Sequence, residues 1–105
     1  MSTTVKAPVH FVRSCISEAI NSTRYGDHAE ALTRIEAAIR EADIALDRIG
    51  DAFAPASLVL TAARHGAETA QTALMHRSAD EALGALRATL AVLSNVPAII
   101  EAHAE

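Results

Sequence analysis

Apolar residues recur at alternating spacings of three and four along most of this chain, and this period constrains the fold more than any other feature. An α-helix turns once about every 3.6 residues, so such spacing places the side chains on one helical face. A narrow seam of this kind is typical of helical bundles and coiled coils. The clearest run is Leu32, Ile35, Ile39, Ala42, Leu46 and Ile49.

The composition supports the same fold class. Of the 105 residues, 24 are Ala and only three are aromatic. Ala is the strongest helix former and is depleted in strands, which argues against an all-β protein. Half of the residues are apolar, which argues against intrinsic disorder. The sequence therefore predicts an all-α protein.

The positions of the breaks between apolar runs predict an antiparallel four-helix up-down-up-down bundle made of two helical hairpins. The bundle is expected to form a single domain over 1–105. Short breaks between helices force antiparallel neighbours. We expect a flexible N-terminus over 1–7 and a short tail helix after Pro97, because proline disfavours helical geometry at the residue before it. The predicted helices span about 8–24, 27–49, 55–75 and 78–95, with the tail helix at 97–103.

Three further seams predict which residues form the core. In the antiparallel hairpins they place Ile16 near Ile35 and Leu60 near Leu93. The seams are Val9, Val12, Ile16, Ala19 and Thr23 in the first helix, Leu60, Ala63, Ala67, Ala70 and Leu74 in the third, and Leu83, Leu86, Leu90 and Leu93 in the fourth.

The two predicted hairpins resemble each other at an offset of 51 residues. Asp27 with Glu30, and Ser78 with Glu81, have the spacing of a capping box at the start of a helix. Each Glu is followed by Ala-Leu. The match has two explanations: a duplication, or two capping boxes that each precede the same heptad on an Ala-rich helix.

The segment from Gly26 to Leu32, with Ile35 and Ala38, resembles the second-helix half of a tetratricopeptide repeat. The resemblance implies stacked hairpins as an alternative to a closed bundle. The first-helix half does not match, and the offset of 51 residues differs from that family's period of about 34. Where the family has Trp, Leu, Gly and Tyr, the chain has Cys15, Glu18, Ala19 and Ser22.

Charge and termini exclude several classes of partner. The net charge is −4 and the eight arginines are scattered, whereas nucleic-acid binding needs a clustered basic surface. The longest uncharged runs, 52–63 and 88–100, each contain a proline and are shorter than the roughly 20 residues that span a bilayer. The N-terminal residues lack the apolar core of a signal peptide. We therefore expect no nucleic acid, no membrane insertion and a soluble cytoplasmic protein; the excess of Arg over Lys is compatible with a bacterial source.

Motifs that carry chemistry are absent from the sequence. None of the five histidines lies three or four residues from another, as a helical metal site would require. The single cysteine, Cys15, flanks the first seam and is expected to be a small apolar residue rather than a nucleophile. Tyr25 is expected to pack over the first turn. The sequence thus predicts no catalytic residue, no cofactor and no metal.

The second half of the chain carries more apolar residues than one buried face can use. Ala85, Ala88, Val92 and Val96 form a second apolar line on the fourth helix, and a helix that is apolar on all sides must be covered on most of them. Either a partner or the C-terminal tail covers this surface. The candidate interface is Phe53, Leu58, Val92, Val96, Ile99 and Ile100.

This surplus predicts a non-enzymatic helical interaction or adaptor module whose partner is a second copy or another helical protein, most simply in a homodimer. Two alternatives stay open. One is a small partner-binding chaperone or antitoxin-like regulator, and the other is a helical bundle that binds a small ligand or metal in a cavity beside the third helix.

Overall fold

The protein is an antiparallel four-helix bundle made of two hairpins, as the sequence predicts. The structure, a computed structural model, describes residues 3–49 and 54–94, and these ranges contain helices and turns but no strand. The helices are α1 (Thr3–Arg24), α2 (His28–Ile49), α3 (Ala54–Met75) and α4 (Ala79–Ser94). The predicted tail helix at 97–103 lies outside the described residues.

The helices close a ring around one core. Helix α1 packs against α2 and α4, and α3 packs against the same two helices, while the diagonal pairs barely touch. In a stack of hairpins the first and last helices would lie apart. The contact between α1 and α4 therefore rules out the stacked arrangement that the tetratricopeptide resemblance implies.

The predicted start of the first helix near Pro8 is wrong. Helix α1 begins five residues earlier, at Thr3, so that Pro8 lies inside it. Proline lacks a backbone N–H, and near a helix start this removes only the single bond to the carbonyl of Thr4. In α3, by contrast, Pro55 lies in the first turn, as predicted.

Both hairpin turns use the same backbone hydrogen bonds. After α1, the N–H of Gly26 donates to the carbonyl of Thr23 and the N–H of Asp27 donates to that of Ser22. This is a Schellman motif, in which the residue after the helix is left-handed. Gly26 has φ 82° and supplies that conformation.

The predicted capping boxes form only in part. The N–H of Glu30 donates to Asp27 Oδ1 at 3.2 Å, but the Glu30 carboxylate contacts Arg34. In a full box it would accept from the N–H of Asp27, which the Schellman motif already uses. The N–H of Ser78 is used in the same way, by Ala73, and no hydrogen bond from Glu81 to the Ser78 side chain forms.

The predicted seams of α1 and α3 are confirmed. Those of α2 and α4 are confirmed in part: Ile35, Ala42, Leu86 and Leu93 are buried, and the other described members lie at the edge of the core. The deepest line of α2 contains Ala31, Ala38, Ala42 and Ala45 together with Ile35. Helices of a closed ring bury a broad face, and the smallest side chains lie where the backbones approach most closely. Larger apolar residues fill the flanks; these partly buried residues include Leu32, Ile39, Leu46, Leu83 and Leu90.

The two hairpins are structurally equivalent at an offset of 51 residues. Helices α1 and α3 begin at Thr3 and Ala54 and end at Arg24 and Met75, and α2 and α4 begin at His28 and Ala79. The buried positions follow the same offset: Ala31, Ile35, Ala38 and Ala42 in α2 correspond to Ala82, Leu86, Thr89 and Leu93 in α4. Residues 3–43 of the first hairpin therefore have counterparts at 54–94 in the second.

Candidate functional site

The contact between Gly66 and Thr89 shows which flanks of α3 and α4 face each other. A Cβ on Gly66 would overlap Thr89 Oγ1 and lie 3.2 Å from Thr89 Cβ. Ala62 and Leu58 precede Gly66 at steps of four residues and so follow the same flank of α3. Val92 follows Thr89 by three residues on α4. Leu58 and Val92 therefore border one groove on the outside of the second hairpin.

The border of this groove is apolar except for Glu81 near the turn, and we call its apolar part the α3–α4 face. It comprises Leu58, Ala62, Ala85, Ala88 and Val92. Leu58 is 71% exposed and Val92 is 37% exposed. Apolar area in contact with water costs about 25 cal/mol per Å², so covering this face would stabilise the assembly.

Two of the predicted interface residues are therefore exposed on one surface. Leu58 lies near the start of α3 and Val92 near the end of α4, and in an antiparallel hairpin these ends coincide. The other four members of the predicted set lie outside the described residues, and their role stays a prediction. They are Phe53, Val96, Ile99 and Ile100.

The outer surface of α4 carries a line of small exposed residues, Gly84, Ala88 and Ala91. A Cβ on Gly84 would meet nothing within 4 Å, so no packing within the described residues requires a glycine here. Glycine inside a helix costs about 1 kcal/mol relative to Ala. Sequence reasoning missed Gly84; the signal was a glycine in a helix interior on an already apolar surface.

The equivalent groove of the first hairpin is bridged by charges. The counterparts of Thr69 and Ala85 are Glu18 and Arg34. Glu18 Oε2 lies 3.0 Å from Arg34 Nε, and Arg34 also pairs with Glu30. The same groove thus carries a charged bridge in one hairpin and none in the other.

The thiol of Cys15 is unsuited to nucleophilic chemistry. The residue is 5% exposed, and burial, followed by the nearby Glu18 carboxylate, raises the pKa of the thiol. A raised pKa keeps the sulfur protonated at neutral pH, whereas the thiolate is the reactive form.

Two other sequence expectations concern a metal site and the packing of Tyr25. Within the described residues, no three or more His, Cys, Asp or Glu side chains form a group that could hold a metal ion. The expected packing of Tyr25 over the turn is wrong, because this side chain is 88% exposed. The turn is short and closed by backbone hydrogen bonds, so it offers no apolar surface to cover.

A second groove, of about 420 Å³, lies between α2 and α3. Its apolar floor includes Ile39, and Arg64 lies among its charged residues. Arg64 Nε is buried and lies 2.5 Å from Asp43 Oδ1, and Arg64 Nη1 lies 3.1 Å from Glu68 Oε1. The guanidinium is therefore neutralised within the chain.

None of the helices in the described ranges combines the length and the hydropathy needed to cross a membrane. No protein-family profile, curated protein or solved structure matches the chain.

Proposed function

We propose that this protein is a non-enzymatic, self-associating helical interaction module of the cytoplasm, and that two copies pair through the α3–α4 face in a homodimer. The observation that carries the proposal is the difference between the two hairpins. At equivalent positions, the first hairpin closes its outer groove with the pair Glu18–Arg34, and the second presents Thr69 and Ala85.

The exposed side chains support burial against a partner. Leu58 is among the most exposed large apolar residues in the described part of the chain. Val92 occupies the position that Glu41 occupies in α2, so the bundle itself accepts a charged residue there. An apolar residue at a site that tolerates charge indicates that something other than this chain's core selects it.

A second copy is the occupant that fits this surface best. Two identical faces related by a two-fold axis bring each residue near its own equivalent, and like charges there would repel. The α3–α4 face carries no charge to create that repulsion. Small residues at Gly84 and Ala88 also let a second helix approach closely, as Gly66 does for α4 within the bundle.

Light scattering after gel filtration tests the dimer directly. We expect a mass of about 22 kDa at tens of micromolar, twice the 11.0 kDa of one chain. The variant Leu58→Glu/Val92→Glu should give the mass of one chain with unchanged helical circular dichroism, because both side chains are exposed.

The matched control is Ile44→Glu, which places the same charge on a 40% exposed residue of α2. This variant should remain dimeric. A second variant, Thr69→Glu/Ala85→Arg, installs the charged bridge of the first hairpin and should also dissociate the dimer. A wild-type chain that is monomeric throughout, or a dimer that persists in both face variants, would contradict the proposal.

If a stoichiometric second protein copurifies with a monomeric chain, the α3–α4 face binds that protein rather than a second copy. That result favours the partner-binding regulator over the homodimer, and it would be recognised by the loss of the second protein in the Leu58→Glu/Val92→Glu variant.

A further inference from the structure

The groove between α1 and α4, on another side of the bundle, has a chemistry of its own. Glu18 faces α2, since it pairs with Arg34, so the opposite flank of α1 faces its other neighbour, α4. That flank carries Arg13 and Ser17. On α4, Thr89 marks the side toward α3, and the opposite side carries Arg87. We call this surface the α1–α4 groove.

The 51-residue equivalence relates the α1–α4 groove to the groove between α2 and α3. In the α2–α3 groove, Arg64 is held between the carboxylates of Asp43 and Glu68. Glu36 adds a third carboxylate to the lining. The α2–α3 groove therefore contains Arg64 together with the carboxylates that neutralise it, and Arg40 is a second cation of its lining.

The α1–α4 groove keeps the arginine and lacks the anions. Arg13 is the counterpart of Arg64, while Ser94 and Ser17 stand where the two carboxylates would be. The counterpart of Glu36 is Arg87, which reverses the charge. At each position where the α2–α3 groove has a carboxylate, the α1–α4 groove thus has a hydroxyl or a cation.

The cations of this groove are exposed and unpaired. Neither Arg13 nor Arg87 forms an ion pair with any residue in the described ranges, and both are exposed. Arg24 continues the basic flank of α1 toward the turns, and Asp80 and Glu81 are the acidic residues at that end of α4. A chain of net charge −4 therefore presents a locally positive groove.

We propose that the α1–α4 groove docks an acidic polypeptide segment of another protein. Carboxylates of this segment pair with Arg13 and Arg87, at positions equivalent to those of Asp43 and Glu68 in the α2–α3 groove. The α2–α3 groove is the internal template for this interaction, because one arginine there pairs with two separate carboxylates, Asp43 at Nε and Glu68 at Nη1. Arginine suits such ion pairs because its planar guanidinium is always charged and weakly hydrated.

The floor of the groove favours a polypeptide over a nucleic acid. Leu83 and Leu90 are partly buried there and can accept apolar side chains of an acidic segment. Nucleic-acid binding depends on many basic contacts and on aromatic platforms, and this groove has neither. Ser94 donates its hydroxyl to the carbonyl of Leu90, so the arginines supply the recognition.

Fluorescence anisotropy with a short labelled peptide of glutamate and leucine tests the proposal, with the same peptide carrying glutamine in place of glutamate as the probe control. We expect binding of the acidic peptide that weakens as salt is raised. The variant Arg13→Gln/Arg87→Gln should weaken it by at least about tenfold.

Two variants separate the groove from general electrostatics. Arg64→Gln removes one arginine from the equivalent, already neutralised site and should leave peptide affinity unchanged. Ser17→Glu/Ser94→Asp installs the carboxylates of the α2–α3 groove and should abolish binding while the helical circular dichroism is retained. Unchanged affinity in the Arg13→Gln/Arg87→Gln variant, or no binding by the wild type, would overturn the proposal.

Two further outcomes would reassign the groove. A thymidine oligonucleotide that binds more tightly than the peptide, and loses binding in the same variant, would make it a nucleic-acid site. Peptide binding that requires Glu101→Gln/Glu105→Gln would assign the groove to the chain's own carboxylates. Either result would overturn docking of an acidic partner, and neither bears on the dimer, which light scattering measures independently.

Discussion

Gly66 on α3 lies so close to Thr89 on α4 that a side chain on the glycine would collide with the threonine hydroxyl. Thr89 Cγ2 would lie 3.6 Å from a Cβ on Gly66, and Oγ1 would overlap it. Thr89 Oγ1 donates to the carbonyl of Ala85 at 2.8 Å, which holds the side chain in this orientation. The equivalent positions of the first hairpin are Cys15 on α1 and Ala38 on α2, so the larger residue is there on the other helix of the pair.

We expect Gly66→Ala to lower the free energy of unfolding by about 1–3 kcal/mol, because the new methyl group overpacks the contact with Thr89. Adding Thr89→Ala should recover most of that loss, since the pair then resembles Cys15 and Ala38. Urea unfolding of the wild type, both single variants and the double variant measures the coupling. A stabilised Gly66→Ala protein would show that the helices separate freely here.

Arg77 is predicted to be the wrong residue for maximal stability. It adopts φ 60°, and its counterpart Gly26 adopts φ 82°. A left-handed conformation costs a non-glycine residue about 1 kcal/mol, so Arg77→Gly should raise the free energy of unfolding by about that amount. Gly26→Ala is the reciprocal test and should lower it. Thermal unfolding of both variants checks the pair; equal stabilities would contradict the cost assigned to this conformation.

The buried thiol of Cys15 gives stability a pH dependence at alkaline pH. Burial raises the pKa of the folded thiol above its ordinary value of 9.0, so the unfolded chain ionises first as the pH rises. The contribution is fully present below about pH 9 and is lost as the pH rises through the folded pKa. Urea midpoints from pH 7 upward measure this decline, and Cys15→Ala should reduce its slope.

The rate at which the same thiol reacts with a reagent is an independent measure of its burial. In the native protein, Cys15 should react with an aromatic disulfide reagent only slowly at neutral pH, and rapidly in denaturant. Fast labelling of the folded chain would mean that the helix pair α1–α2 opens readily at this level.

Gly84→Ala should have opposite effects on the monomer and on the proposed dimer. A Cβ at Gly84 meets nothing within 4 Å, so in the monomeric Leu58→Glu/Val92→Glu background Ala should add about 1 kcal/mol to the free energy of unfolding. In the wild-type background the same methyl group should weaken dimerisation, which sedimentation at graded concentrations measures. A dimer that Gly84→Ala leaves equally tight would place the interface elsewhere on α4.

Part of the candidate site could be predicted from the sequence. The excess of apolar residues in the second half of the chain predicts a covered surface that includes Leu58 of α3 and Val92 of α4, and both side chains are exposed in the structure. Apolar spacing alone could not show that Leu83 and Leu90 lie beside α1 while Val92 lies beside α3. That assignment depends on the neighbour of each flank, and Gly66 supplies the decisive contact.

Local chemistry determined the helices themselves. Spacings of three and four, Ala content and the turn residues act within a few positions of one another, and they account for four helices, two hairpins and the seams of α1 and α3. Tertiary packing decided the rest. Closing the ring moved Ala31 and Ala38 to the deepest line, because backbones that approach closely leave room only for small side chains. It also brought Asp43 of α2 beside Arg64 of α3, because pairing across a groove depends on which helices become neighbours, and apolar spacing within one helix carries no information about that.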